Sequence, residues 1–83
     1  MQTKTYTIEE IEEHKDAAKW NAEPCAPKVG DVVKGKKIVQ TKCMSAFWFT
    51  ENILMKKSKL APNILAKQHE SCATVLYLVV LEG

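Results

Sequence analysis

The residues best equipped for chemistry lie late in the chain, at His69-Glu70-Ser71-Cys72. A histidine and a cysteine at this His-x-x-Cys spacing can share one tetrahedral zinc ion, with Cys43 or Cys25 as a further ligand. A structural zinc site usually draws on two closely spaced pairs, and this chain has one. Read as an enzyme, the same residues need a thiol beside His14 or His69, a third group to orient the imidazole, and an oxyanion site. No local spacing supplies that set. Cys25, between Pro24 and Pro27, is the thiol most expected to be exposed, while Cys43 and Cys72 fall in or beside expected strands and read as small hydrophobes. Cys43, His69 and Cys72 therefore form an alternative zinc or thiol site. The leading expectation has no catalytic residue, metal or cofactor.

Charge divides the chain more sharply than these motifs do. Residues 1–23 hold three lysines against six acids, whereas residues 28–67 hold nine lysines against Asp31 and Glu51. All twelve basic residues are lysine. Arginine is the usual bidentate reader of phosphate and guanine edges, so its absence argues against sequence-specific nucleic-acid recognition. Lys34, Lys36, Lys37, Lys56, Lys57 and Lys59, with Trp48 as a stacking ring, still define a weak, sequence-tolerant nucleic-acid surface as an alternative. Glu9, Glu12, Glu13 and Asp16, joined by Trp48, define the partner-binding surface in the leading reading. The acids also have a structural cause, because a helix start favours negative charge.

These groups must be placed by a chain of 83 residues, expected to be one domain over residues 1–83. Its apolar fraction of 46% is that of a globular protein. Residues 74–81 (Thr-Val-Leu-Tyr-Leu-Val-Val-Leu) read as a strand covered on both faces, central in a sheet and too short to span a bilayer. Residues 2–6 read as a short strand or an arm. Thr7-Ile8-Glu9-Glu10 matches a capping box, with Tyr6 and Ile11 at the staple positions, and predicts a helix over residues 8–20. Pro24 and Pro27 end it in a loop. Two extended pieces come next around a turn at residues 34–37, the second running through Cys43 into Phe47-Trp48-Phe49. A hairpin turn at residues 50–52 then leads to a strand at 53–56, in preference to a helix from Thr50 to residue 60. Residues 63–70 read as a short helix or an irregular crossing.

The pattern predicts an α+β fold: one N-terminal helix packed on a small antiparallel sheet of four or five strands. The alternative is a small, partly open β-barrel with an appended helix. Three widely spaced cysteines with no CxxC pair, no apolar leader and no membrane-spanning run make a reducing cytoplasm the default expectation, with one disulfide and one free thiol as the alternative. The function expected is that of a non-enzymatic interaction protein, monomer or homodimer paired through a strand edge, that binds and regulates or inhibits a larger protein or protein–nucleic acid complex. Small stand-alone chains of this build are often accessory proteins of phages or mobile elements, including inhibitors of host defence.

Overall fold

The computed structural model describes residues 3–83. Its elements in chain order are β1 (Thr5–Tyr6), a 3-10 turn (Ile8–Glu10), α1 (Ala17–Asn21), β2 (Val32–Val33) and β3 (Lys36–Ser45). Then come α2 (Ala46–Phe49), a π turn that prolongs it (Thr50–Leu54), β4 (Lys59–Leu60), β5 (Ile64–Gln68) and β6 (Val75–Leu81). Four strands form an antiparallel sheet in the order β2-β3-β6-β5, and β1 pairs with β4 in a separate parallel pair. The fold is α+β. The sheet ends on β2 and β5 and does not close into a barrel.

The final strand is central, as its sequence predicts. β6 pairs with β3 on one side and β5 on the other, and both of its faces are covered. Successive side chains of a strand point to opposite faces. Val75, Tyr77, Val79 and Leu81 therefore face one layer, where Ala17, Trp20, Ala26, Ile38 and Cys43 pack. Leu76, Leu78 and Val80 face the other, against Tyr6, Ile8, Ile11, Met44, Trp48, Phe49 and Ile53. The β2–β3 turn also forms where expected, with Lys34 (φ 52°) and Gly35 (φ 79°) at its tip, both in the left-handed region that tight hairpins require.

Three expected elements differ from the fold. Residues 8–20 do not form one helix. The capping box is present, with Thr7 N–H donating to the Glu10 carboxylate at 2.9 Å, but it caps a single 3-10 turn. Ile11 is extended (φ −90°, ψ 131°), and His14 N–H donates to the Cys43 carbonyl at 2.8 Å. The cause is the sheet itself. Ile8 and Ile11 belong to one face and Ala17 and Trp20 to the other, so the chain must cross the outer edge of β3 between them. A straight helix cannot do that. Of the arm expected over residues 2–6, Thr5–Tyr6 forms β1 and Gln2 lies outside the described residues.

Residues 47–49 are helical, as is the segment expected to be a hairpin turn and strand. Ser45 ends β3 and caps the helix, accepting from the N–H groups of Phe47 (3.1 Å) and Trp48 (3.4 Å). A strand would send Trp48 and Phe49 to opposite faces, whereas a helix directs both to the same core, joined by Ile53 one turn on. Finally, residues 64–68 form an edge strand where a helix or irregular crossing was expected. Only Ile64 is buried and Ala66, Lys67 and Gln68 are exposed, so its alternation is too weak to read.

Candidate functional site

The break at residues 11–16 builds the first feature of the site. By crossing the end of β3, the extended segment carries Glu12 and Glu13 beside the start of α2. There they line a notch of about 250 Å³ with His14, Lys15, Ser45 and Trp48. Trp48 is half-buried, edge-on to the Tyr6 ring at 5.7 Å between centroids. The two carboxylates suit a cation through charge, offset in part by Lys15 on the same rim. Of the residues expected to bind a partner, Glu12, Glu13 and Trp48 come together here. Glu9, exposed in the 3-10 turn, and Asp16, exposed at the cap of α1, do not line the notch.

The helical segment 46–54 supplies the second feature. Trp48, Phe49 and Ile53 turn inward, while Phe47 (72% exposed), Leu54 (61%) and Met55 (73%) turn to solvent. The π turn sets this division. Met55 N–H donates to the Thr50 carbonyl at 2.9 Å, five residues back, and Asn52 Nδ2 donates to the Trp48 carbonyl at 3.0 Å. A π turn inserts one residue into the helical ladder and is frequent at functional sites. Lys57, at φ 56°, then turns the chain out of the helix. Phe47, Leu54 and Met55 escaped the sequence reading because the aromatic run was assigned to a strand. The signal was present: Ser45 as cap, with Phe49 and Ile53 at helical spacing.

The lysines expected to bind nucleic acid fall into two groups. Lys34, Lys36 and Lys37 lie on the exposed β2–β3 hairpin; Lys56, Lys57 and Lys59 come directly after Met55 and are also exposed. The second group adjoins the apolar helical surface. Trp48, packed against Tyr6, is not the free stacking ring that reading assumed; the exposed ring is Phe47.

His69 and Cys25 meet elsewhere, in the layer that contains Trp20. His69 is 3% exposed; its Nδ1 accepts from Ser71 N–H at 3.0 Å, and its Nε2 faces Cys25 Sγ at 3.7 Å. A backbone N–H can only donate, so in the neutral ring this network assigns the proton to Nε2, which donates to the Cys25 sulfur. A general base for that thiol would need Nε2 bare. In that tautomer the pair makes an N–H···S contact. The imidazole is wedged between Trp20, at 5.1 Å between centroids, and Tyr77, at 5.5 Å.

Tyr77 donates its hydroxyl to the Trp20 carbonyl at 2.7 Å. Burial pushes its phenol up to about 12, and the neighbouring thiols Cys25 and Cys43 add to the rise. Cys43 is sealed in the core, where burial, aided by Glu13, pushes its thiol up to about 11. Cys72 is half-buried beside the Thr74 hydroxyl, whose hydrogen bond lowers its thiol below the usual value. Sequence spacing paired His69 with Cys72 and offered Cys43 or Cys25 as a further ligand; the structure places Cys25 on the ring nitrogen. Among the described residues, no three His, Cys, Asp or Glu side chains are grouped to hold a metal ion. Cys43, His69 and Cys72 are not gathered as a ligand set.

Next to this layer, a cleft of about 650 Å³ opens over Ile38, Leu65 and Val79. Cys25 and the neighbouring prolines form one wall, and Val32 and Val33 another. Among the described residues, no helix is long and apolar enough to cross a membrane. No protein-family model, no curated protein and no solved structure matches this chain.

Proposed function

We propose that the chain is a non-enzymatic docking protein that binds a larger protein and regulates or inhibits it through the helical segment 46–54. One observation carries this reading: Phe47, Leu54 and Met55, all large and apolar, stand exposed on a single short helical segment. Large apolar side chains exposed in this way mark interaction surfaces, and a helix presenting them fits an apolar groove. The adjoining notch of Glu12, Glu13 and Trp48 gives the contact a polar anchor, suited to a lysine or arginine of the partner. Lys56, Lys57 and Lys59 favour an acidic rim at the other end.

The test is a tagged pull-down from native lysate with and without nuclease, using the unmodified chain and a variant carrying Phe47→Ser, Leu54→Ser and Met55→Ser. A stoichiometric protein, retained after nuclease and lost by the variant, is the expected result. Equal retention by both proteins would overturn the assignment of this surface. The exposed Phe47 at one end of this segment and Lys56 and Lys57 at the other also give the nucleic-acid reading a stacking ring and positive charge. Recovery of nucleic acid alone, with an affinity that falls steeply as salt is added, would favour that second reading.

A further inference from the structure

The sheet ends on β2 and β5, and the two sides differ in how they are covered and guarded. Along β3, Lys36 and Lys37 pair with β2, Ile38 exchanges bonds with Gly30 and Asp31, and the Cys43 carbonyl accepts from His14. At β5 the register pairs Ile64 with Val80 through Gln68 with Leu76. Leu81 N–H donates to the Asn63 carbonyl at 2.8 Å, and His69 N–H donates to the Val75 carbonyl at 2.9 Å. Antiparallel ladders alternate, so these two bonds fix which backbone groups face β6. Leu65 and Lys67 face it, whereas Ile64, Ala66 and Gln68 direct their backbone groups outward. The Ile64 N–H is taken by the Ala61 carbonyl at 3.0 Å. Among the described residues, no loop or strand takes the N–H and C=O of Ala66 and Gln68 or the C=O of Ile64.

Exposed edges are usually guarded by lysine. Lys28, Lys34, Lys36 and Lys37 surround the β2 edge, but β5 has Lys67 alone, and Lys67 lines the cleft beside Leu65. We infer that β5 pairs antiparallel with β5 of a second copy of this chain, about a two-fold axis at Ala66, so that the two sheets become one.

The residue pattern selects this register. With Ala66 opposite its own copy, the two Ala66 residues exchange N–H to C=O bonds, and each Gln68 N–H reaches the Ile64 carbonyl of the other chain. Leu65 then lies opposite Lys67 of the second copy, whose methylene stem covers it while the ammonium stays in water. Small Ala66 side chains meet at the axis and allow close approach. Moving the axis to Lys67 would oppose two like charges, which is destabilising. Moving it to Leu65 would leave Gln68 without a partner. The chosen axis uses every outward group that is free except the Gln68 carbonyl, whose would-be donor, the Ile64 N–H, is held by Ala61, and the contact is self-complementary, as a two-fold interface requires.

Sedimentation of the purified chain from about 1 µM to about 1 mM spans the range over which so short a contact is expected to dissociate. The mass should rise from one chain to two, and Ala66→Pro should remain monomeric throughout. Because the Ala66 N–H faces away from β6, proline there removes no bond within the chain. Hydrogen exchange on the unmodified chain supplies a second readout that does not depend on the variant folding. The Ala66 and Gln68 amides should exchange fast when dilute and slowly when concentrated, with Leu65 and Lys67 protected at both extremes. A monomer at every concentration would overturn the proposal. So would a dimer in which the Ala66 and Gln68 amides stay fast, since that dimer would pair through another surface, such as the exposed helical face.

Discussion

The two faces of β6 carry different covers. Over Val75, Tyr77 and Val79, the layer built from α1 and the proline loop turns polar atoms on itself, the buried Trp20 Nε1 excepted: Tyr77 bonds Trp20, His69 is contacted through both ring nitrogens, and Cys43 is sealed. Over Leu76, Leu78 and Val80, the cover is almost wholly apolar, and Phe47, Leu54 and Met55 of the same segment lie outside it. His69, Tyr77 and Cys43 are thus used in packing, and Phe47, Leu54 and Met55 lie on the surface proposed for a partner.

The largest expected effect lies on the apolar face. Leu78 is fully buried, and Leu78→Ala should cost about 3 kcal/mol in denaturant unfolding through lost burial and a residual cavity. Its neighbour Tyr77 supplies the contrast. Tyr77→Phe keeps the ring and loses one hydrogen bond, so it should cost only about 1 kcal/mol. Equal losses at the two positions would break the distinction between the faces.

The polar face should respond to alkali. Tyr77 rises from 10.0 to about 12 in the folded protein and Cys43 from 9.0 to about 11, so both hold their protons more tightly folded than unfolded. Their stabilisation is complete below the unfolded values and is lost as pH climbs through the folded ones. Unfolding free energy should therefore fall between about pH 9 and 12. A double variant, Tyr77→Phe with Cys43→Ala, should flatten that fall, and an unchanged slope would assign it to the lysines instead.

Smaller effects belong to the helical segment. Ser45→Ala removes the cap on Phe47 and Trp48 and should cost about 1 kcal/mol. Phe47→Ser should change stability by no more than about 0.5 kcal/mol, measured by thermal unfolding, while abolishing partner binding. A large stability loss at Phe47 would place it in the core and remove it from the proposed interface.

Legibility in the sequence tracks the range of the forces involved. The central strand was legible because eight consecutive residues carry its signal, and the Lys34–Gly35 turn because glycine marks it locally. The capping box was legible too, but the break after Glu10 was not. Whether Ile11 and Ala17 share a helix depends on their packing against opposite faces of a sheet whose strands lie far along the chain. Trp48 with Glu12 and Glu13 was legible only as a set of residue types; the crossing at His14 that brings them together is a long-range bond to Cys43. The edge strand β5 hid behind its own exposure.

Site-specific photocrosslinking tests the central claim most directly. A benzophenone side chain would be placed at Phe47 in one protein and, as control, at Val29, which is 65% exposed in the loop before β2. After irradiation in nuclease-treated native lysate, a discrete protein adduct is expected from position 47 and none from position 29. An adduct confined to position 29, or equal adducts from both, would contradict the assignment of helix 46–54 as the docking surface.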